Sequence, residues 1–595
     1  MVRKIFQRSS DPDLGRLKTA WKGRWEEALG LWSRYTKLSE PVWCSTRAEE
    51  RRQGLKDSFA MIRLDGHVVA VSLRQVRDLG LEDQALEILA HEIGHHVYTP
   101  ADLRDNARLL ARVRHALPTV EVLAGFIANL YADLLINDRL ARSAGLDMAA
   151  VYRKLKTDGA GRLWRLYTRI MEVLWNLPSG TLAEGRSDER IDVDATLGAR
   201  VVRAYAREWL DGAGRFAALF LPYLIEEKAQ FLSGLKIVWM DALGAGAGGE
   251  APDGLVEIED GEIDGAIHPA EDDRLTGLGE REAPEGGRPG GGGREDVGGR
   301  KNQYREPAEY VELMKSLGVR VSEEEMVIRY YRERARPHLV RFPVRETRSA
   351  EDPLPEGLDP WDPGDPLAEL DWTESLIRSP TLIPGLTTYR RTYGRTEGGL
   401  PGQRPLDLYV GVDCSGSMMN PRLALSFPVL AGAIVSLSAL RAGARVMVCL
   451  SGEPGSYSRT DGFVRDEKAV LKILTGYLGT GYAFGIRRLK ETFLDGAKPA
   501  RPTHVLVVSD SDIFRMLSEV KGGWDLIART LEAAGGGGTM VLNIPGLNPT
   551  WAKKLDRLRE TGWLVHLVSS WDELLVFARG FSKTHYELCS WKKGG

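Results

Sequence analysis

Cysteine is scarce: Cys44, Cys414, Cys449 and Cys589 stand far apart in 595 residues, and no two form a CxxC pair. That spacing excludes the usual cysteine-based metal sites and points to a reducing compartment rather than a disulfide scaffold. A surplus of one charge is missing as well, the formal net charge being −3. Composition therefore gives no electrostatic case for nucleic acid or an anionic membrane. The opening residues, MVRKIFQRSSDPD, lack the apolar core of a signal peptide. One run, Leu423 to Leu440, is long and uncharged enough to raise the question of a membrane span, but Pro428 and three serines interrupt it. It reads as a buried helix of an α/β domain. The expectation is a cytoplasmic protein of two or three domains, since this length exceeds what one hydrophobic core serves.

Histidine is scarce too, with 10 in the chain, yet three fall in ILAHEIGHHVY, residues 88–98. On a helix His91 and His95 lie one turn apart on one face, so both imidazoles reach one metal ion, with Glu92 beside them. Two neutral imidazoles plus a carboxylate placed to take a proton from metal-activated water are what a zinc hydrolase needs. The apolar stripe Ala85, Ile88, Leu89 supports a helix, Glu82 and Asp83 favour its first turn, and Pro100 ends it. Ahead of it, Trp21, Trp25, Leu29 and Trp32 recur at helical spacing between Leu17 and Leu38, and FAMIRLDGHVVAVSL reads as two strands around Asp65-Gly66.

The third zinc ligand is best sought on the helix from about Val120 to Arg142. There Asn129, Asp133 and Asn137 form a polar line at i, i+4, i+8 on an otherwise apolar surface. Ligation by Asp133, with the two asparagines behind it, gives that stripe a reason; a solvated polar face is the plainer alternative. His115 competes as ligand, and His96 is a supporting donor or a further rival. Asp192 and Asp194 read as capping or solvated residues.

HEIGHH followed by N-x-x-x-D-x-x-x-N resembles the metallopeptidase domain of bacterial proteins that also carry a von Willebrand factor A (VWA) domain, over about residues 15–240. The resemblance implies a mainly α, zincin-like domain with a small β element. It also implies zinc held by His91, His95 and Asp133, with Glu92 as general base acting on a peptide or protein substrate.

After Leu243 the sequence turns acidic and glycine-rich, so 1–243 is taken as the zincin-like domain and 244–303 as a flexible linker. Residues 304–403 form a connecting segment with two helices, PAEYVELMKSL and one opened by a capping box from Ser322 to Glu325. The stretch DPLPEGLDPWDPGDPLAELDW that follows is too rich in Pro and Asp for regular structure. It wraps over another domain through Leu354, Leu358, Trp361 and Trp372.

From Leu406, strands alternate with helices: DLYVGVD, RVMVCL, THVLVVSD, TMVLNIP and WLVHLV. That implies a doubly wound, Rossmann-like α/β domain over 404–595, with functional loops at the strand C-terminal ends. Asp413, Ser415 and Ser417 fall at one such end and Asp510 at another. Oxygen donors of this kind suit Mg²⁺ or Mn²⁺. DCSGSM resembles the metal-ion-dependent adhesion site of VWA domains, whose remaining positions map to Thr480, with Thr475 as rival, and Asp510. In that family the ion completes its shell with a partner's carboxylate.

Two functions follow. One is a zinc metallopeptidase whose VWA domain recruits a substrate or an ATPase, the layout resembling VWA partners of MoxR-type AAA+ ATPases. The other is a non-catalytic adaptor resembling VWA chelatase subunits.

Overall fold

The computed structural model describes residues 12–55, 58–155, 161–183, 188–227, 242–243, 251–276, 303–342, 344–347, 351–397, 402–496, 499–544, 546 and 549–581. The chain is multidomain, with two compact units: Met1–Glu333 with Arg422–Ala424, and Arg334–Pro421 with Leu425–Gly595.

The first unit is mainly helical around one small sheet. Its strands β1 (Val42–Cys44), β2 (Ala60–Arg63), β3 (Val68–Ser72) and β4 (Ala242–Leu243) stand in the order β1-β3-β2-β4. The Asp65-Gly66 turn joins β2 and β3 into a hairpin that pairs Ile62 with Val69 and Arg63 with Val68. Where one N-terminal helix was expected, two occur, Pro12–Gly23 and Trp25–Trp32, and together they bury Trp21 and Trp25. The indole of Trp21 donates to the carbonyl of Glu82 at 3.0 Å. Residue 82 thus lies in the turn ahead, and the histidine helix runs Ala85–Val97 rather than starting at Glu82. Trp32 donates to the carbonyl of Ala90 at 2.7 Å. A Cβ on Gly94 would lie 2.6 Å from Ile136 and 2.7 Å from Trp32. Only glycine lets the histidine helix approach the helix Ala124–Arg139 this closely, and that approach positions the site.

Residues 251–276, expected within a flexible linker, pack into the first unit instead. Leu255 and Val256 are buried. Glu259 accepts from Arg108 at 2.7 Å and Arg112 at 2.9 Å, and Asp272 from Tyr205 at 2.5 Å and from Arg215. Glu262 pairs with Arg305 and His115. The acidity that reads as solvated in the sequence is neutralised by arginines far away in the chain. The remaining linker positions, 244–250 and 277–302, lie outside the described residues. The side chains of Glu262 and Arg305 are 1% and 3% exposed. Breaking such a buried pair from one side typically costs about 3–5 kcal/mol. Glu262→Ala is therefore expected to lower the unfolding free energy of the first unit by about that much in a denaturant melt; an effect below roughly 1 kcal/mol would return this segment to the status of a tether.

The helices Pro307–Ser316 and Glu323–Ala335 belong to the first unit as far as Glu333. Ser322 caps the second through the backbone N–H of Glu325 at 3.2 Å. Tyr310, Tyr330 and Tyr331 are buried beneath them.

The second unit holds two short ribbons and a large sheet. In the ribbons, β5 (Val344–Thr347) pairs with β8 (Gly402–Pro405), and β6 (Glu351–Pro360) with β7 (Tyr389–Glu397), both antiparallel. The Pro-rich stretch expected to be irregular is thus a strand in part. In a two-stranded ribbon every strand is an edge, so Pro353 and Pro355 need not donate to a second neighbour.

The large sheet comprises β9 (Asp407–Asp413), β10 (Val446–Ser451), β11 (Tyr457–Arg459), β12 (Thr503–Asp510), β13 (Gly535–Asn543) and β14 (Leu564–Val568), in the order β11-β10-β9-β12-β13-β14. All neighbours are parallel except the edge strand β11. Both faces are covered, so β9 and β10 are buried at every position. The uncharged run around Pro428 forms the buried helix Phe427–Arg441. Among the described residues no helix is long and apolar enough to cross a membrane. Strand order reverses at β9, which leaves a crevice between the C-terminal ends of β9 and β12.

Candidate functional site

In the first unit, the close crossing at Gly94 brings the histidine helix against Asp133. The Nε2 atoms of His91 and His95 lie 3.6 and 3.3 Å from Asp133 Oδ1. Among the described residues this is the one group of three or more His, Cys, Asp or Glu whose ligand atoms gather within 4.8 Å. Each ring is oriented from behind. His91 Nδ1 faces Asn137 Oδ1 at 2.7 Å, while the Asn137 amide donates to Tyr152 at 3.0 Å. His95 Nδ1 faces the carbonyl of Thr99 at 3.1 Å. In each contact the oxygen accepts, so each Nδ1 is the donor and each Nε2 is the ring nitrogen turned to the aspartate. Asn129 donates to the other carboxylate oxygen, Oδ2, at 2.9 Å.

Two imidazole nitrogens and a carboxylate oxygen are donors suited to zinc. Ligands about 2.0–2.1 Å from a tetrahedral ion stand roughly 3.3–3.4 Å from one another, close to the separations from Asp133. His91, His95 and Asp133 thus form a group able to hold a metal ion. All three are buried.

Glu92, also buried, lines a cavity of about 30 Å³ with His91, Asn137, Tyr152, Phe59, Ile88, Met148 and Val151. That volume holds a water or two. The rival ligands lie elsewhere: His115 faces Glu262 at 3.2 Å, and the His96 ring lies against His67, centroids 4.2 Å apart. Asp194 accepts from Tyr223 at 2.7 Å and Asp192 from Arg169 at 2.7 Å, both structural contacts. Tyr152 and Thr99 were not anticipated. A tyrosine on an apolar helix reads as core, and a backbone carbonyl leaves no mark in a sequence.

In the second unit, the crevice gathers Asp413, Ser415, Ser417 and Asp510. The Ser415 N–H donates to Asp413 Oδ1 at 2.9 Å, Ser415 and Ser417 hydroxyls are 3.2 Å apart, and Ser417 donates to Asp510 at 3.3 Å. Ser509, which the sequence did not single out, donates to Asp413 Oδ2 at 2.5 Å. Burial pushes the Asp413 carboxyl up to about 6, and the Asp510 charge adds to it against the Ser509 and Ser415 hydrogen bonds. Burial also raises Asp510, with Asp512 adding to it. Two carboxylates that resist ionisation together favour a cation between them. Thr480 turns its hydroxyl to the 452–456 loop, accepting from the Ser456 N–H at 3.3 Å and donating to Gly452 O at 3.4 Å. Thr475 bonds back to Leu471 O at 2.9 Å within its helix end.

No family model matches the sequence, and no curated protein matches it. A solved structure, von Willebrand factor type A from Catenulispora acidiphila, is similar at 17% sequence identity and a TM-score of 0.22; the match covers 31% of this chain and 44% of that one. The chain thus spans less than half the length of that protein. The strand order of the large sheet is compatible with a VWA-like α/β domain.

Proposed function

We propose that the first unit is a zincin-like, zinc-dependent hydrolase of peptide bonds and that the second unit is a VWA domain that binds a protein partner through Mg²⁺ or Mn²⁺. One observation carries the first part: two imidazoles of defined tautomer and a carboxylate converge beside a buried glutamate that none of them needs as a ligand. Zinc held by His91, His95 and Asp133 would supply a Lewis acid to acidify water and polarise a carbonyl. Glu92 takes the proton, Asn137 and Thr99 hold the rings, and Asn129 holds Asp133. A purely structural zinc closes its shell with four protein ligands and has no use for a general base.

The second unit supports partner binding by its crevice of hard oxygen donors at a strand-order reversal. A partner carboxylate would complete that shell, with Thr480 reaching the ion once its loop turns. The layout makes a MoxR-type AAA+ ATPase the partner we assign. The small volume of the cavity beside Glu92 favours a second reading, a non-catalytic adaptor in which zinc only holds helices together.

Glu92→Gln separates the two. With its zinc content unchanged, the full-length variant is expected to lose about 10²–10⁴-fold in hydrolysis of an unstructured peptide library. If Glu92→Gln behaves as wild type in the native host while Asp413→Ala is null, the adaptor reading stands and the peptidase falls.

A further inference from the structure

The turn between β2 and β3 ends on His67, which adopts φ +50, a left-handed conformation that Asn, Asp and His enter more readily than other residues with a side chain. That conformation lays the His67 ring against His96, with centroids 4.2 Å apart and planes inclined by 51°. His96 follows the candidate ligand His95, but one residue along a helix turns the side chain by about 100°, so it faces away from the triad. Stacking accounts for the ring faces and not for the ring edges. His67 Nε2 and His96 Nδ1 are both buried, and neither has a hydrogen-bond partner. A buried, unsatisfied ring nitrogen calls for an ion or a water; here each ring of a pair brought together from separate elements carries one.

We propose that His67 and His96 form a second transition-metal site, distinct from His91, His95 and Asp133, that takes a borderline divalent ion such as Zn²⁺, Ni²⁺ or Cu²⁺. Imidazole nitrogen is the donor these ions prefer. Both residues are half-buried, and water would complete the shell once the ion turns the nitrogens toward the surface. With two protein ligands the site is weaker than a three-ligand centre. An ion there ties the β2–β3 turn to the helix that carries Glu92, and Phe59, next to β2, lines the same cavity as Glu92. Occupancy of the second site would thus stiffen the wall of the first.

The test is a zinc titration of the metal-stripped full-length chain against a chromophoric chelator, with excess Mg²⁺ to fill the second unit. Wild type is expected to bind two zinc ions, the second at least ten-fold more weakly. His67→Asn, which tolerates the left-handed turn, and His96→Gln are each expected to bind one, and His91→Ala to keep the weaker one. Circular dichroism checks that each variant folds. A wild type that binds one zinc, a His67→Asn that still binds two, or a His91→Ala that binds none overturns the proposal.

Discussion

Full-length protein carrying His91→Ala is expected to hold zinc more than about 100-fold more weakly than wild type, and Asn137→Ala roughly 10–100-fold more weakly. The first change deletes a donor whose Nε2 lies 3.6 Å from Asp133 Oδ1. The second leaves every donor in place and removes only the acceptor at 2.7 Å that fixes the His91 tautomer. Tyr152→Phe should act in the same direction and more weakly, since it frees the Asn137 amide without removing it. Chelator competition with elemental analysis gives the affinities. Wild-type affinity in His91→Ala would refute the ligand assignment, and wild-type affinity in Asn137→Ala would refute the orienting role alone.

Without divalent ions, Asp413→Asn is expected to stabilise the second unit at neutral pH by about 3 kcal/mol, the equivalent of a carboxyl raised from 3.8 to about 6. The sign follows from proton binding: between those two values the folded state holds a proton that the unfolded state has lost. Wild-type stability is therefore highest at the acid end of that interval, falls as pH rises toward about 6, and stays low above it. An asparagine keeps an acceptor for the Ser415 N–H and has no charge to bury. Magnesium should reverse the order, because only the aspartate gains from it. Urea melts in chelator at pH 5 and pH 7.5, repeated with Mg²⁺, measure this. A less stable Asp413→Asn in chelator at pH 7.5 would show that burial does not strain this carboxylate.

Local periodicity made the histidine helix and the polar line Asn129, Asp133, Asn137 readable, because helix spacing converts directly into a shared face. The strands from Asp407 onward were readable as short apolar runs, because a sheet covered on both faces buries every position of β9 and β10. Contacts between distant segments were not. Nothing in the acidic composition around Glu259 and Glu262 announces that Arg108, Arg112 and Arg305 neutralise them. The start of the histidine helix at Ala85 comes with a long-range contact of this kind, the indole hydrogen bond from Trp21 to the Glu82 carbonyl. Which way the Thr480 hydroxyl turns is set by Ser456 and Gly452, residues outside the motif read in the sequence.

The reversal of strand order at β9 also sets when a cation can enter the second unit. Asp413 and Ser509 meet across the crevice although 96 positions separate them in the chain. Their oxygens become neighbours only after that long loop has closed and β12 has docked on β9, a late event for a parallel sheet. A cation that needs both strand ends finds no site in the denatured chain and little in the transition state. Such an ion leaves the folding rate nearly untouched and acts on the unfolding rate. A divalent ion held there would be a brake on opening: chain already folded would keep its sheet longer when the ion is plentiful, and newly made chain would gain nothing from it until the sheet is complete.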